Sequence, residues 1–351
     1  MTRLHLGADG AERLPRTHPD ETTGKERTQR SRTPSLTSTE QQEIDHANAS
    51  RLQPVVFVHG LWLLSNSWNN WRQLFEAQGY TTLAPGWPDD PETTQEANQD
   101  PDVLAHKRLK QVTDHYVAAI GQLQRKQAVI GHSFGGLIAE MLADRGVAAA
   151  TVAISPAAFR GILVLPLSQL KAAAPLLNPL SVGKSVPLTF EQFQYAFANE
   201  LDEAEARQLY DAYAVPASST PLFQGALANF NPWTEDKVDT GNPDHGPLLI
   251  IAGVKDHTVP ASVSDAAYKR QQKNAGVTQY QNMPGRGIRW PWTMGGRRWP
   301  RWRSRSSTSM RRPSKGHSPG GRLPAMEKPP TIDFTRGDGH NDLHRHRELE
   351  L

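Results

Sequence analysis

The 351-residue chain predicts an α/β domain built on a mostly parallel, doubly wound sheet, with a helical insertion late in the chain and polar segments at both ends. Three observations predict it. Continuous apolar runs at Pro54–Val58, Ala128–Ile130 and Leu248–Ile251 have the length and composition of strands buried on both faces. Between the first two, apolar residues recur at helical spacing, the alternation expected of a parallel sheet covered by helices. From Ala157 to about Gly246 the text reads as helix and loop, as an insertion would.

Composition narrows the chemistry. The chain has no cysteine, which excludes a disulfide framework, a thiolate metal site and a cysteine nucleophile. Its net charge of +3 is unevenly spread: from Arg286 onward fifteen Lys/Arg face six Asp/Glu, so the basic excess belongs to the tail and says little about partners of the body. No signal-peptide pattern and no membrane-length apolar run is legible, and the expectation is a cytoplasmic protein.

Residues 1–51 are polar, charged and poor in aromatics, and are expected to be disordered. Order is expected from residue 52, with the first strand at Pro54–Val58 ending in the turn His59-Gly60-Leu61-Trp62. A helix is expected over Asn69–Gln78, where Trp71, Leu74 and Phe75 share a face and Gly79 supplies a stop. A short strand at Thr81–Ala84 runs into Pro85–Pro91, and Val103–Gln124 supplies the next helix.

Gly131-His132-Ser133-Phe134-Gly135 then follows Ala128–Ile130 and precedes Leu137–Leu142. A G-x-S-x-G between strand and helix is the pattern of a nucleophile elbow, in which a sharp backbone turn projects the serine hydroxyl. Ser133 is therefore the candidate nucleophile. Acyl transfer also needs two backbone N–H groups aimed at the developing oxyanion, and Phe134, after the serine, and Leu61, in the early turn, are the candidates. His132 and His257 each adjoin a candidate catalytic residue, so their side chains should diverge from it, and both read as structural. No core cluster has metal-ligand spacing, and neither a metal nor another cofactor is expected; His340, His344 and His346 read as part of the tail.

With Val55–Gly60, Gly131–Gly136 and Leu248–Pro260 in hand, the chain resembles the α/β-hydrolase superfamily, in its capped esterase- and lipase-like form, over roughly Pro54–Pro284. The resemblance implies a core of residues 52–156 and 247–287, with residues 157–246 as a helical cap over the sheet ends. It also implies that Asp256 is the acid that steadies a catalytic histidine. Under such a cap Trp62, Phe159, Leu163, Leu165, Phe193 and Phe197 fit a substrate pocket; the cap's own core is the other reading of these side chains.

The general base is missing. In the family it follows the last strand, expected here at Val277–Met283, and the turn after it; Ile288 stands there instead. Four tryptophans then fall within thirteen residues, no Asp or Glu occurs from Arg286 to Met326, and no amphipathic helix can be read. A shifted reading frame is one account of this, and a genuine tail is the other. One permitted codon choice for Gly287–Met310, read two bases in, gives His-Ser-Leu-Ala-Val-Asp-His-Gly-Trp-Glu-Glu-Val-Ala-Glu-Val-Ala-Leu-Glu-Val-Val-His-Leu-Asp, a histidine at the expected place followed by an amphipathic helix.

The expected function is thus a serine hydrolase of small carboxylic esters or related acyl compounds, impaired in this polypeptide. A catalytically inactive relative that binds a small ligand is the alternative. Residues 288–351 read as a basic, irregular tail; its Trp/Arg text could stack on bases, but no nucleic-acid partner is expected. Oligomeric state is not legible.

Overall fold

A polar helix is the first element in the computed structural model, which describes residues 35–164, 166–174, 178–284 and 287. Helix α1 spans Ser38–Ser50, so the expectation of disorder through residue 51 fails for this part. Its start is fixed by a capping box: Thr37 Oγ1 accepts from Glu40 N at 3.1 Å, and Glu40 Oε2 accepts from Thr37 N at 2.8 Å. The helix has little amphipathic pattern, but Ile44 and Ala47, three apart, are buried in the main core. Residues 1–34 and 288–351, including the proposed frame shift and tail, lie outside the described residues.

Six parallel strands form the central sheet: β1 (Gln53–Val58), β2 (Tyr80–Leu83), β3 (Ala128–His132), β4 (Ala150–Ile154), then, after the insertion, β7 (Leu248–Gly253) and β8 (Thr278–Met283). Their spatial order is β2-β1-β3-β4-β7-β8. Register runs from Val55 opposite Thr82 and Ala128 to Ile250 opposite Tyr280. The fold class is the one the sequence predicts.

Strand periodicity assigns the two faces of β1. Val56 and Val58 enter the main core with α1, α4 (Leu109–Ile120) and α5 (Phe134–Asp144). Phe57 points the other way, where Trp68, Trp71 and Phe75 enclose it with ring centroids 4.9 to 6.4 Å away. Trp71 and Phe75 are carried by α2 (Asn69–Glu76), close to the helix expected there. Helix α3 (Thr94–Gln99) comes first, and the helix expected from Val103 begins only at Leu109, because a 3-10 turn at Pro101–Leu104 and the left-handed backbone of His106 (φ 57°) intervene. Helix α10 (Ala261–Gln271) joins β7 to β8 and stacks Tyr268 on Tyr280 at 5.4 Å.

Between β4 and β7 lie α6 (Leu167–Ala173), α7 (Phe190–Phe197), α8 (Glu203–Tyr213), α9 (Thr220–Leu227) and a small antiparallel pair, β5 (Ser185–Val186) with β6 (Ala217–Ser218). This segment is tied to the turn after β1: Trp62 Nε1 donates to Val186 O at 3.1 Å, and Val215 N donates to Trp62 O at 3.2 Å. No helix among the described residues is long and apolar enough to cross a membrane.

Candidate active site

Because all six strands run the same way, the residues that follow them emerge at one edge of the sheet. Gly60 follows β1, Ser133 follows β3, Ser155 follows β4 and Asp256 follows β7. Ligands of parallel α/β sheets collect at this edge.

Ser133 has φ 57° and ψ −123°, outside the regions that side chains favour, at the junction of β3 and α5. Bonds on both sides hold it there: Ser133 N donates to Ile154 O at 3.0 Å, while Ser133 O accepts from Gly136 N at 2.9 Å and from Leu137 N and Ala157 N at 3.1 Å. Gly135 is a steric requirement, since a Cβ there would lie 2.1 Å from Val58 O. The β1 turn is equally close, as a Cβ on Gly60 would stand 3.4 Å from Ser133 Oγ.

Leu61 and Phe134 are buried. Phe134 is the first residue of α5, so its N–H lacks an intrahelical acceptor. Among the described residues neither the Phe134 nor the Leu61 amide donates to a backbone carbonyl.

Asp256 is 3% exposed. Its Oδ1 accepts from Thr258 N at 2.8 Å and Val259 N at 2.7 Å. Its Oδ2 is buried without a hydrogen-bond partner among the described residues. Burial pushes the carboxyl up to about 7, against the lowering influence of the Val259 amide, the Ser155 hydroxyl and the Thr258 amide.

No histidine among the described residues bonds to either group. His257 Nδ1 donates to Tyr195 O at 3.1 Å and its ring packs on Tyr195, so it turns away from Asp256. His132 is fully buried beneath the elbow. The turn after β8 does approach the acid: Gly287 is buried, and a Cβ on it would lie 2.7 Å from Asn199 Oδ1 and 3.6 Å from Lys255 O, the residue before Asp256.

The expected pocket residues divide. Trp62, Phe159, Phe193 and Phe197 are all buried. Trp62 meets Phe197 edge-on at 5.9 Å, and Phe193 stacks on Phe197 at 5.3 Å and packs edge-on to Tyr210 at the same distance. Leu163, by contrast, is 81% exposed; a polar-free stretch of sequence does not reveal which way a loop turns. Leu165 lies outside the described residues. A cavity of about 420 Å³ bounded by His106, Arg108, Val182, Leu227 and Trp233 includes none of the candidate catalytic residues.

A polar network behind the β1 turn is not legible in the sequence. His59 Nδ1 donates to Gly60 O at 3.0 Å, its Nε2 lies 3.2 Å from Asp90 Oδ2, and its ring stacks on Trp87 at 5.6 Å. Trp87 N donates to Asp90 Oδ2 at 2.9 Å, and Lys107 Nζ, itself buried, donates to Pro88 O. Burial lowers the Lys107 pKa, partly offset by Asp90 and Asp89. Only the crowding of aspartates in the Pro85–Pro91 loop hinted at it. Among the described residues no three His, Asp or Glu side chains gather as a metal ion would need.

A model of the alpha/beta hydrolase family matches residues 55–319, well over half of the chain. The chain belongs to the alpha/beta hydrolase family. No curated protein sequence matches it. Solved structures similar to this alpha/beta hydrolase include the monoacylglycerol lipase of Paleococcus ferrophilus, 19% identical over 67% of this chain and 85% of that one, with a TM-score of 0.45. Others are an extracellular alpha/beta-hydrolase of a Paenibacillus species, 19% identical over 69% and 96% at 0.49, and the pyrethroid hydrolase of Sphingobium faniae JZ-2, 16% identical over 69% and 92% at 0.48. Family membership rests on the family match and not on these likenesses.

Proposed function

We propose that this alpha/beta hydrolase descends from a serine hydrolase of small carboxylic esters or related acyl compounds, and that this polypeptide lacks its general base. The observation that carries the reading is the strained backbone of Ser133 directly against the Gly60 turn. Strain of about 1–3 kcal/mol at one serine persists when the surroundings impose it, and it is the elbow's means of presenting a hydroxyl. In the intact mechanism Ser133 Oγ attacks the ester carbonyl as a histidine takes its proton. The Phe134 and Leu61 amides receive the oxyanion, the imidazolium returns its proton to the leaving alcohol, and water then releases the acyl group.

Asp256 Oδ2, without a hydrogen-bond partner among the described residues, is the counterpart of the missing base. An imidazole N–H bound there would satisfy the buried oxygen and favour the carboxylate. Gly287 brings the chain beside Lys255, and the residue after it is Ile288 where the family carries histidine. Without the base, turnover should fall by about 10⁶, as in measured triad deletions. A frame shift after Gly287 explains both the lost histidine and the Trp/Arg text that follows. Residues 157–246 serve as the cap, held to the site through Trp62.

Hydrolysis of a p-nitrophenyl ester by this chain and by a frame-restored chain tests the proposal. Restored activity that Ser133→Ala removes is the expected result. Equal inactivity of the two chains overturns the hydrolase reading and favours the inactive ligand-binding alternative. Sequencing the gene across Gly287–Met310 tests the frame shift separately, since bases that encode no second frame of that kind would refute it.

A further inference from the structure

Eight of the twelve exposed large apolar side chains among the described residues lie on the segment between β4 and β7. Leu163, Leu167, Leu180, Phe230 and Trp233 are each more than three-quarters exposed. Leu163, Phe230 and Trp233 are brought together by hydrogen bonds between their two loops. Asn229 stitches the loops, accepting from Gly161 N at 2.6 Å and donating to Ile162 O at 2.9 Å, and Arg160 Nη1 donates to Pro232 O at 3.2 Å. Leu163 is thereby held near Phe230. Val182, Leu227 and Trp233 in turn border the same 420 Å³ cavity, which joins the Leu180 loop to α9.

Scattered exposed leucines need no explanation, but a contiguous set of this size does. Its charges indicate the occupant. No Asp or Glu occurs from residue 157 to residue 190, while Arg160, Lys171 and Lys184 do. Arg270 reaches the same edge, its Nη2 donating to Gly161 O at 2.6 Å. The carboxylate that borders the cavity, Glu235, is bound by Arg108 at 2.7 Å and by Gln224 at 2.6 Å. Helix α8, which carries Glu203, Glu205 and Asp211, is tied elsewhere, with Ala212 O accepting from Thr94 Oγ1 at 3.0 Å.

We infer that this face adsorbs to an anionic lipid surface, with Leu163, Phe230 and Trp233 entering the acyl layer and Arg160 and Arg270 meeting the acidic headgroups. Apolar side chains rimmed by arginine and lysine combine the two terms that hold a protein at such an interface. The inference needs no catalysis, so it stands or falls apart from the role of Ser133.

Co-sedimentation of the full chain with phosphatidylcholine vesicles, with and without 30% phosphatidylglycerol, tests it. Phosphatidylglycerol should raise the bound fraction at least fivefold at about 0.1 M salt, where surface charges are still felt within about 10 Å. Leu163→Asp/Phe230→Asp, both at exposed positions and with an unchanged far-UV circular dichroism spectrum, should lower that binding at least tenfold. Arg160→Glu should lower it only on the anionic vesicles. Full binding by the double variant would assign adsorption to another part of the chain and overturn the inference, as would equal binding to both vesicle types. Absence of vesicle binding, together with a dimer on gel filtration that the double variant makes monomeric, would overturn it in favour of a second copy as the occupant.

Discussion

Gly60 and Ser133 are in contact across the sheet edge: a Cβ built on Gly60 falls 3.0 Å from Ser133 Cβ and 2.9 Å from His132 O. Both of those neighbours are held by strand and elbow backbone, so neither can move aside cheaply. Gly60→Ala should therefore destabilise the fold by about 1–3 kcal/mol, the usual cost of overpacking. A lower urea midpoint with an unchanged m-value would agree; an unchanged midpoint would mean the turn is not packed against the serine.

Imidazole in solution should stand in for the absent base. The reaction of this chain with p-nitrophenyl acetate should rise with imidazole concentration beyond the imidazole-only rate, and Ser133→Ala should remove that excess. An excess that survives Ser133→Ala would place the chemistry elsewhere.

Restoring a single histidine after Gly287 is a sharper test. Ile288→His should raise the rate at least tenfold over the parent and make it depend on Asp256. The pH–rate profile should gain a rising limb near the ordinary histidine range, about 6.5. A variant as slow as the parent at every pH would show that the rest of the shifted element is also needed.

Glu140 provides a pH test of stability that is independent of activity. It is fully buried on α5; burial pushes its pKa up to about 8, opposed by the Gln271 hydrogen bond and assisted by Asp236. A carboxyl raised from 4.5 to about 8 binds its proton more tightly in the folded state, so its contribution to stability is complete below pH 4.5 and is lost as pH rises towards 8. Asp236, raised to about 7, acts in the same direction. Glu140→Gln should leave stability at pH 4.5 little changed and stabilise the protein at pH 8 by about 2–4 kcal/mol. Parallel stability–pH curves for parent and variant would show that Glu140 does not ionise in this range.

Glu40 has the opposite sign. Burial would raise its pKa, but hydrogen bonds from His115 and Thr37 and the charge of His115 outweigh it and hold the carboxyl lowered. Its stabilisation is present above pH 4.5 and is lost as pH falls. Glu40→Ala would leave His115, buried and 2.8 Å from Glu40 Oε1, without that partner, at a cost of about 1–3 kcal/mol at pH 7. Equal thermal stability of the two proteins at pH 7 would remove any anchoring role for α1.

The sequence by itself determined the sheet and the elbow. Buried parallel strands are continuous apolar runs, and Gly131-His132-Ser133-Phe134-Gly135 is a local motif whose backbone demands are written in adjacent residues. The absence of histidine at residue 288 was legible for the same reason. Tertiary structure alone decided the rest, because those features join distant residues. Helix α1 has a readable capping box, yet its docking depends on His115, 75 residues away from Glu40. The pairing of His59 with Asp90 needed the β1 and β2 turns to meet. Leu163 and Phe193 are equally apolar in the text, but one lies on the surface and the other in the core. That Asp256 Oδ2 has no hydrogen-bond partner among the described residues became visible only when the strand edge was assembled, since a missing partner is defined by the groups that surround it.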